Sequence, residues 1–222
     1  MRSAMILAAG RGERMRPLTD HTPKALVPVA GKPLIVHHLE KLSKINIKNI
    51  VINISYLAEN IREALGDGSQ FDVNITYSYE PEALETGGGI YQALSLLGSD
   101  PFLVISSDIY TDYDFKNLLD ISNKLEKQTA LLAHLILAPN PAYHPQGDFA
   151  LDNNGFVKNI PEYTYASMGV FHPDLFLGCQ QGKFSIVPLL LKAMSKQHVT
   201  GELYPGLWHN VGTVEELKFL EA

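Results

Sequence analysis

The chain has 222 residues, with 24 acidic against 18 basic side chains, a net charge of -6, and hydrophobic, charged and aromatic fractions of 45%, 19% and 9%. These values exclude a disordered, collagen-like or coiled-coil chain and leave no broad basic surface for nucleic acid or anionic lipid. A chain of this length buries about 70% of its unfolded surface, enough for one α/β domain or two very small ones, and any phosphate chemistry has to rest on a few placed cations.

The apolar run Ala4 to Ala9 is too short for a signal-peptide core and reads as a buried first strand. Further strands are predicted over Asn49 to Ile54, Asn74 to Tyr79 and Pro101 to Ser106. Between them, Pro33 to Leu42, Leu57 to Leu65 and Thr86 to Leu97 carry helical spacing and are followed by the stop signals Gly66, Gly68 and Gly98. This alternation of strand and helix predicts βαβ units. From Thr129 the pattern becomes strand-rich: Leu131 to Leu137, Asp148 to Leu151, Gly155 to Ile160 and Tyr165 to Phe171, joined by Pro, Asn and Gly turns. Helices resume at Ile186 to Met194 and Val214 to Leu220. With no linker, repeat or composition shift, the expectation is a single domain over 1–222. Its nucleotide-binding part would be about 1–128 with the C-terminal helix, and a smaller lobe would span about 129–205.

Cys179 is the only cysteine, so neither an internal disulfide nor a thiolate zinc site can form, and a cytoplasmic location is expected. No apolar stretch approaches the twenty residues of a membrane span. His37 and His38 are adjacent and do not share a helix face, and the other histidines lack ligand spacing, so zinc is not expected.

Four segments carry chemistry. The first runs Leu7-Ala8-Ala9-Gly10-Arg11-Gly12-Glu13-Arg14-Met15-Arg16-Pro17-Leu18-Thr19 and on through Pro23-Lys24. Two glycines after a buried strand let backbone N-H groups approach an anion, although a tight strand-to-helix turn accounts for them equally. The loop is neither the dinucleotide fingerprint, since Met15 stands at the third glycine position, nor a P-loop. Four cations, Arg11, Arg14, Arg16 and Lys24, in one loop of an acidic protein weigh toward phosphate. The second segment, Glu80-Pro81 followed by Leu84-Glu85-Thr86-Gly87-Gly88-Gly89, offers bare N-H groups at a helix start, or a flexible loop with Thr86 as N-cap. The third, Phe102 to Asp108, delivers Ser107 and a carboxylate to the C-terminal end of a strand, where open α/β sheets bind ligands; Asp108 there is either a Mg²⁺ ligand or a turn residue. The fourth, Gly206-Leu207-Trp208-His209-Asn210-Val211-Gly212-Thr213, is a short strand leading to a helix that Thr213 can cap.

Taken together, Leu-Ala-Ala-Gly-x-Gly-Glu-Arg-Met-x-Pro-Leu-Thr with Pro23-Lys24, the glycine-rich segment, Ser107-Asp108 and Trp-x-x-Val-Gly-Thr resemble the signature of sugar-1-phosphate nucleotidyltransferases over nearly the whole chain. The resemblance implies a three-layer αβα, Rossmann-like core with a mixed sheet and a smaller strand-rich sugar-binding lobe. The implied reaction is uridylyl transfer from UTP to a sugar 1-phosphate, N-acetylmuramate 1-phosphate by the branch most resembled, with Mg²⁺ and in peptidoglycan recycling. Leu7, Ala8, Ala9, Gly10, Gly12 and Ser107 would line the nucleotide site, and Arg14 and Lys24 would neutralise the transferring phosphate. Glu80 and the backbone of Gly88 would read the base. Asp108 and Asn210 would hold metal, and Asp148, Glu162 and Ser167 would face the sugar phosphate. The implied partners are these small molecules, without nucleic acid or membrane, in a monomer or homodimer.

Two departures stand out. Asn210 occupies the position of the family's second metal carboxylate, and an amide offers one uncharged oxygen in its place. Ile160-Pro161-Glu162 replaces the family's Glu-Lys-Pro stretch. Transfer to another sugar 1-phosphate (glucose or mannose) from TTP or GTP is the alternative, as is a nucleotide-binding relative impaired by Asn210.

Overall fold

A computed structural model describes residues 3–127 and 130–221. The part boundary expected at 128/129 lies outside the described residues. The first half contains β1 (Ser3–Leu7), a short hairpin of β2 (Pro28–Val29) and β3 (Lys32–Pro33), then α1 (Leu34–Lys44), β4 (Asn49–Ile54), α2 (Ala58–Leu65), β5 (Asn74–Tyr79), α3 (Glu85–Leu97) and β6 (Phe102–Ser106). After β7 (Ile109–Thr111) and α4 (Asn117–Lys127) come β8 (Ala133–Ala138), β9 (Phe149–Leu151) and β10 (Val157–Phe171). The chain closes with α5 (Val187–Met194), β11 (Val199–Leu203), β12 (Trp208–Asn210) and α6 (Val214–Glu221).

The main sheet runs β11-β8-β10-β6-β1-β4-β5, with β9 paired to β10. The strands β6, β1, β4 and β5 are mutually parallel, while β10 lies antiparallel between β6 and β8, so the sheet is mixed as expected. Alternation along the strands divides the core. Ala4 and Ile6 of β1, Ile50, Ile52 and Ile54 of β4, and Leu103 and Ile105 of β6 pack with α1, α2 and α4. Met5, Val51, Phe102 and Val104 point the other way, toward α3 and α5. Each face of the sheet is thus covered by helices, giving the three layers. A third, smaller cluster joins Leu217 of α6 to Met15, Val27, Val29 and Val211.

Three features differ from the sequence expectation. The segments expected as two strands, Gly155 to Ile160 and Tyr165 to Phe171, are one fifteen-residue strand, β10. Pro161 does not break it, because its register with β9 jumps between Lys158 and Tyr163 and the proline owes no ladder hydrogen bond. Helix α4, strands β7 and β11 and the short β2/β3 hairpin lie outside the predicted elements, although Leu118, Ile121 and Leu125 of α4 carry helical spacing and are buried. Helix α3 begins at Glu85, with Leu84 at its N-cap and no side-chain cap, so Thr86 lies inside the helix rather than capping it.

Candidate active site

The site lies at the C-terminal ends of β1, β4 and β6, where a cleft of about 200 Å³ opens between Leu7, Ala9 and Gly10 on one side and Ser106, Ser107 and Asp108 on another. The Leu7 carbonyl accepts the Ser107 N-H at 2.9 Å, closing the ends of β1 and β6 together. Gly12 adopts φ +68°, a conformation that favours glycine. It folds the loop back so that its carbonyl accepts the Thr19 hydroxyl at 2.7 Å, and a Cβ there would lie 3.1 Å from Lys24 Cβ.

That fold-back disperses the four loop cations. Arg16 pairs with Asp20 at 2.6 Å, and Arg11 stacks over the Tyr56 ring with its guanidinium carbon 5.0 Å from the centroid. Lys24 lines the cleft, and Arg14 turns to the C-terminal segment. Lys24 Nζ meets Asp108 Oδ2 at 2.5 Å. The Arg14 guanidinium packs against the backbone of Gly212, where a Cβ would lie 2.7 Å from its Nη2. The strand pair β7/β12 carries Gly212 there: Asn210 faces Ile109 across the ladder, and the Val211 N-H donates to the Asp108 carbonyl at 2.9 Å. Glu216 fixes the following turn, its carboxylate accepting from the N-H groups of Gly212 (2.6 Å) and Thr213 (3.0 Å), while the Thr213 hydroxyl accepts from the Glu216 N-H at 3.2 Å. This is a capping box with Thr213 as the expected cap.

Asp108 and Asn210 are therefore neighbours, and Asn210 Oδ1 is buried without a hydrogen-bond partner. An orphaned amide oxygen one residue from the Val211 N-H that meets the Asp108 backbone suits a hard cation, which takes oxygen ligands. Among the described residues no group of three or more His, Cys, Asp or Glu side chains is arranged to hold a metal, so the remaining ligands of such an ion would come from phosphate and water.

At the opposite end Glu80 is 1% exposed and accepts from Asn53 Nδ2 at 2.7 Å and from the Leu84 N-H at 2.8 Å. Asn53 also accepts the Ala8 N-H at 2.9 Å, so this β4 side chain joins the phosphate loop to the buried glutamate. Gly89 makes room for the pair, since a Cβ there would lie 2.6 Å from Glu80 Oε1. Gly88 does not present its backbone to the cleft: its N-H donates to the Phe184 carbonyl at 3.0 Å, and a Cβ would meet the Gly182 carbonyl oxygen at 2.2 Å. Its lack of a side chain packs α3 against the 182–184 segment, and Glu85 and Thr86 line the cleft in its place. Glu85 holds φ +62°, a costly conformation for a side-chain-bearing residue. Asn53 stands outside every motif read from the sequence, and Glu85 enters only as a member of the glycine-rich segment. The only signal for Asn53 is a second amide, near the C-terminal end of a strand whose other residues after Asn49 are all apolar.

The residues expected to face a sugar phosphate lie on and beside β10. Ser167 falls one residue beyond the Met168–Ile105 pair, at the end of β6 that carries Asp108, and adopts φ +55°. Asp148 accepts the Tyr165 N-H at 2.8 Å and meets His144 Nε2 at 3.1 Å, so its carboxylate braces the loop before β9. Glu162 is exposed, on the part of β10 outside the central sheet.

The cleft over the parallel-strand ends thus holds a lysine–carboxylate pair at one end and a buried glutamate at the other. The model of the family described as nucleotidyl transferase matches residues 3–220, and the chain belongs to that family. The chain is 47% identical to N-acetylmuramate alpha-1-phosphate uridylyltransferase of Neisseria meningitidis serogroup B, over 99% of this chain and 96% of that one. It is 33% identical to the protein of the same name from Caulobacter vibrioides, over 99% and 95% of the two chains. Mannose-1-phosphate guanylyltransferase catalytic subunit beta of Drosophila melanogaster is 30% identical over 94% of this chain and 59% of its own. The fold matches a Bacillus anthracis structure assigned as a glucose-1-phosphate thymidylyltransferase, with TM-score 0.86, 21% identity, and coverage of 98% and 93%.

Proposed function

We propose that the protein transfers a uridylyl group from UTP to N-acetylmuramate 1-phosphate, giving the UDP-sugar and pyrophosphate in peptidoglycan recycling. The observation that supports the transfer chemistry is the Lys24–Asp108 pair at one end of a cleft whose other end buries Glu80, with Arg14 packed against the Gly212 turn that follows Asn210. The choice of sugar and nucleotide is supported by the 47% identical Neisseria relative.

In this reading an oxygen of the sugar 1-phosphate attacks the α-phosphorus of UTP. One P-O bond forms there as the bond to the bridging oxygen breaks, and pyrophosphate leaves with that electron pair. The Gly10 and Gly12 backbone receives the triphosphate, and Lys24 and Arg14 offset the charge that grows on the α-phosphate and the leaving group. No covalent enzyme intermediate is needed, since alignment and charge lower the barrier. Asp108 and Asn210 would hold a magnesium ion, which supplies charge neutralisation and phosphate orientation when bound. Glu80, held in place by Asn53, faces the base, and the Glu85-Thr86 backbone borders it. The nucleotide part is about 1–128 with α6, and Ser167, Glu162 and the braced 140s loop belong to the sugar part at about 129–205. Among the described residues no helix is long and apolar enough to cross a membrane, and the single cysteine supports a cytoplasmic setting for a monomer or homodimer.

The test is pyrophosphate release with Mg²⁺ and UTP against N-acetylmuramate, N-acetylglucosamine, glucose and mannose 1-phosphates, repeated with TTP and GTP. Turnover confined to UTP and the muramate phosphate is the expected result. UTP binding by calorimetry without release of pyrophosphate across the panel would overturn it and point to a binding protein disabled at Asn210.

A further inference from the structure

Strand β10 leaves both of its ladders where it approaches the cleft. Against β8, Tyr165 pairs with Leu137 and Gly169 with Leu135, so Ala166, Ser167 and Met168 together face the single residue Ile136. Pairing with β6 begins only at Met168, opposite Ile105. Ala166 and Ser167 therefore stand outside both registers, and Ser167 holds φ +55°, a conformation that a side-chain-bearing residue keeps only when its surroundings impose it. Continued by one rung, the β6 register sets Ser167 against Ser106, which lines the cleft beside Ser107 and Asp108.

The group that holds this bulge comes from another sheet. Trp208 lies on β12, which pairs with β7 in a two-stranded sheet of its own. Its indole N-H donates to the Ala166 carbonyl at 3.0 Å, and its half-buried ring packs against the core cluster that contains Ala166 and Met168. The indole is itself anchored. Trp208 faces Thr111 across the β7/β12 ladder, and the preceding Leu207 carbonyl accepts the Thr111 hydroxyl at 2.7 Å and the Asp112 N-H at 3.2 Å. Side chains two apart on a strand share a face, so Trp208 points to the same side of β12 as Asn210, whose buried amide oxygen has no partner. One short strand thus presents both the amide assigned to the metal and the indole that fixes the backbone beside Ser167.

We propose that Trp208 is a positioning residue for the acceptor: its indole N-H holds the turn at Ser167 in the shape that receives the sugar 1-phosphate, and β12 sets that turn in register with the metal side of the site. The inference rests on the uridylyl-transfer reading and deepens it, tying acceptor binding to a residue outside the sugar part of the chain. A phenylalanine at 208 keeps an aromatic ring in the core and removes the donor, so the Ala166 carbonyl and the Ser167 turn relax. A sugar phosphate then has to restore the turn as it binds, and the loss falls on its affinity rather than on that of UTP.

The experiment measures steady-state pyrophosphate release by the full chain, Trp208→Phe, Ser167→Ala and the double variant, varying the sugar phosphate at saturating UTP and then the reverse. Calorimetric binding of each sugar 1-phosphate is measured alongside. Trp208→Phe is expected to raise KM for the sugar phosphate by about three- to tenfold and to keep KM for UTP within about twofold, a split that a general loss of stability does not produce. In the Ser167→Ala background the same change should add less than about twofold, because the turn it holds no longer carries the hydroxyl. A wild-type sugar-phosphate KM in Trp208→Phe, an equal rise in both KM values, or full additivity with Ser167→Ala would overturn the assignment. Should Trp208→Phe fail to fold, the wild type decides: the emission of Trp208, the only tryptophan, should change saturably with sugar 1-phosphate and less so in Ser167→Ala, and an unresponsive emission refutes the proposal. If the wild type turns nothing over yet binds a sugar phosphate that Trp208→Phe binds weakly, the activity reading fails and the positioning role stands. Failure of the wild type to bind any sugar phosphate sinks both.

Discussion

Lys24 Nζ and Asp108 Oδ2 stand 2.5 Å apart, joining two residues 84 positions distant, with their side chains only 12% and 20% exposed. The pair keeps two opposite charges mutually neutral in the cleft, and in the proposed reading a triphosphate separates them. Lys24→Ala should lower kcat/KM by about tenfold or more, and Asp108→Asn should abolish turnover, both read by pyrophosphate release. Survival of wild-type rates in Lys24→Ala would take the ammonium away from the transferring phosphate.

Gly212 is where the C-terminal turn touches the phosphate loop. Its φ lies outside the left-handed region, so an alanine adds no backbone strain, only a methyl 2.7 Å from Arg14 Nη2. Gly212→Ala should therefore fold with an unchanged midpoint of thermal unfolding while displacing the guanidinium. Its loss of kcat/KM should run in the same direction as that of Arg14→Ala, which is about tenfold or more. A fully active Gly212→Ala enzyme would show that the Arg14 position is immaterial.

Asn53 connects Glu80 to the Ala8 N-H, and all three groups are buried. Asn53→Ala leaves both partners short of a bond, so urea unfolding should show about 1–3 kcal/mol lost. KM for UTP should rise several-fold while KM for the sugar phosphate holds. Equal changes in the two KM values would mean that the strand β4 amide only stabilises the fold.

Asn210→Asp puts a charged carboxylate where the buried, unpartnered amide oxygen lies. A magnesium titration of activity should reach half-saturation at lower concentration in this variant. An unchanged titration would show that position 210 is not a ligand.

His38 lies on α1, 1% exposed and stacked on Phe115 with ring centroids 6.2 Å apart. Burial, aided by Lys41 and His37, lowers its pKa to about 3 from 6.5. Between those values the unfolded chain binds a proton that the folded chain refuses, so this contribution is intact above pH 6.5 and is lost as pH falls toward 3, at up to about 1.4 kcal/mol per unit. Urea unfolding of wild type and His38→Leu across pH 4 to 7 should show a shallower acid decline in the variant. Parallel curves would place the acid sensitivity elsewhere.

The layered core was legible because its strands announce themselves: β1, β4 and β6 are apolar runs bounded by polar turns, and the helices between them keep three-and-four spacing. The Lys24 and Asp108 positions were readable for the same reason, one from the loop after a buried strand and the other from a strand end. What sequence could not show were matters of close approach. Gly88 in a glycine run looks like a ligand-facing backbone, and only the Gly182 carbonyl shows that the space it leaves is filled by the protein itself. Pro161 looks like a strand break, and only the register shift beside it shows why the strand continues. The Asn53 role depends on a partner 27 residues away, which no local pattern encodes.

The two irregularities in β10, one between Lys158 and Tyr163 against β9 and one between Tyr165 and Gly169 against β8, bracket the passage from the outer lobe into the central sheet. Each interrupts the ladder and so stops a displacement on one side from being passed rung by rung to the other. On the uridylyl-transfer reading, the outer half of the strand can then change its residues, and with them the acceptor, while the inner half stays paired to β6, the strand that leads to Ser107 and Asp108. In that reading, acceptor choice is free to vary along a strand whose inner rungs are fixed by their neighbours in the central sheet.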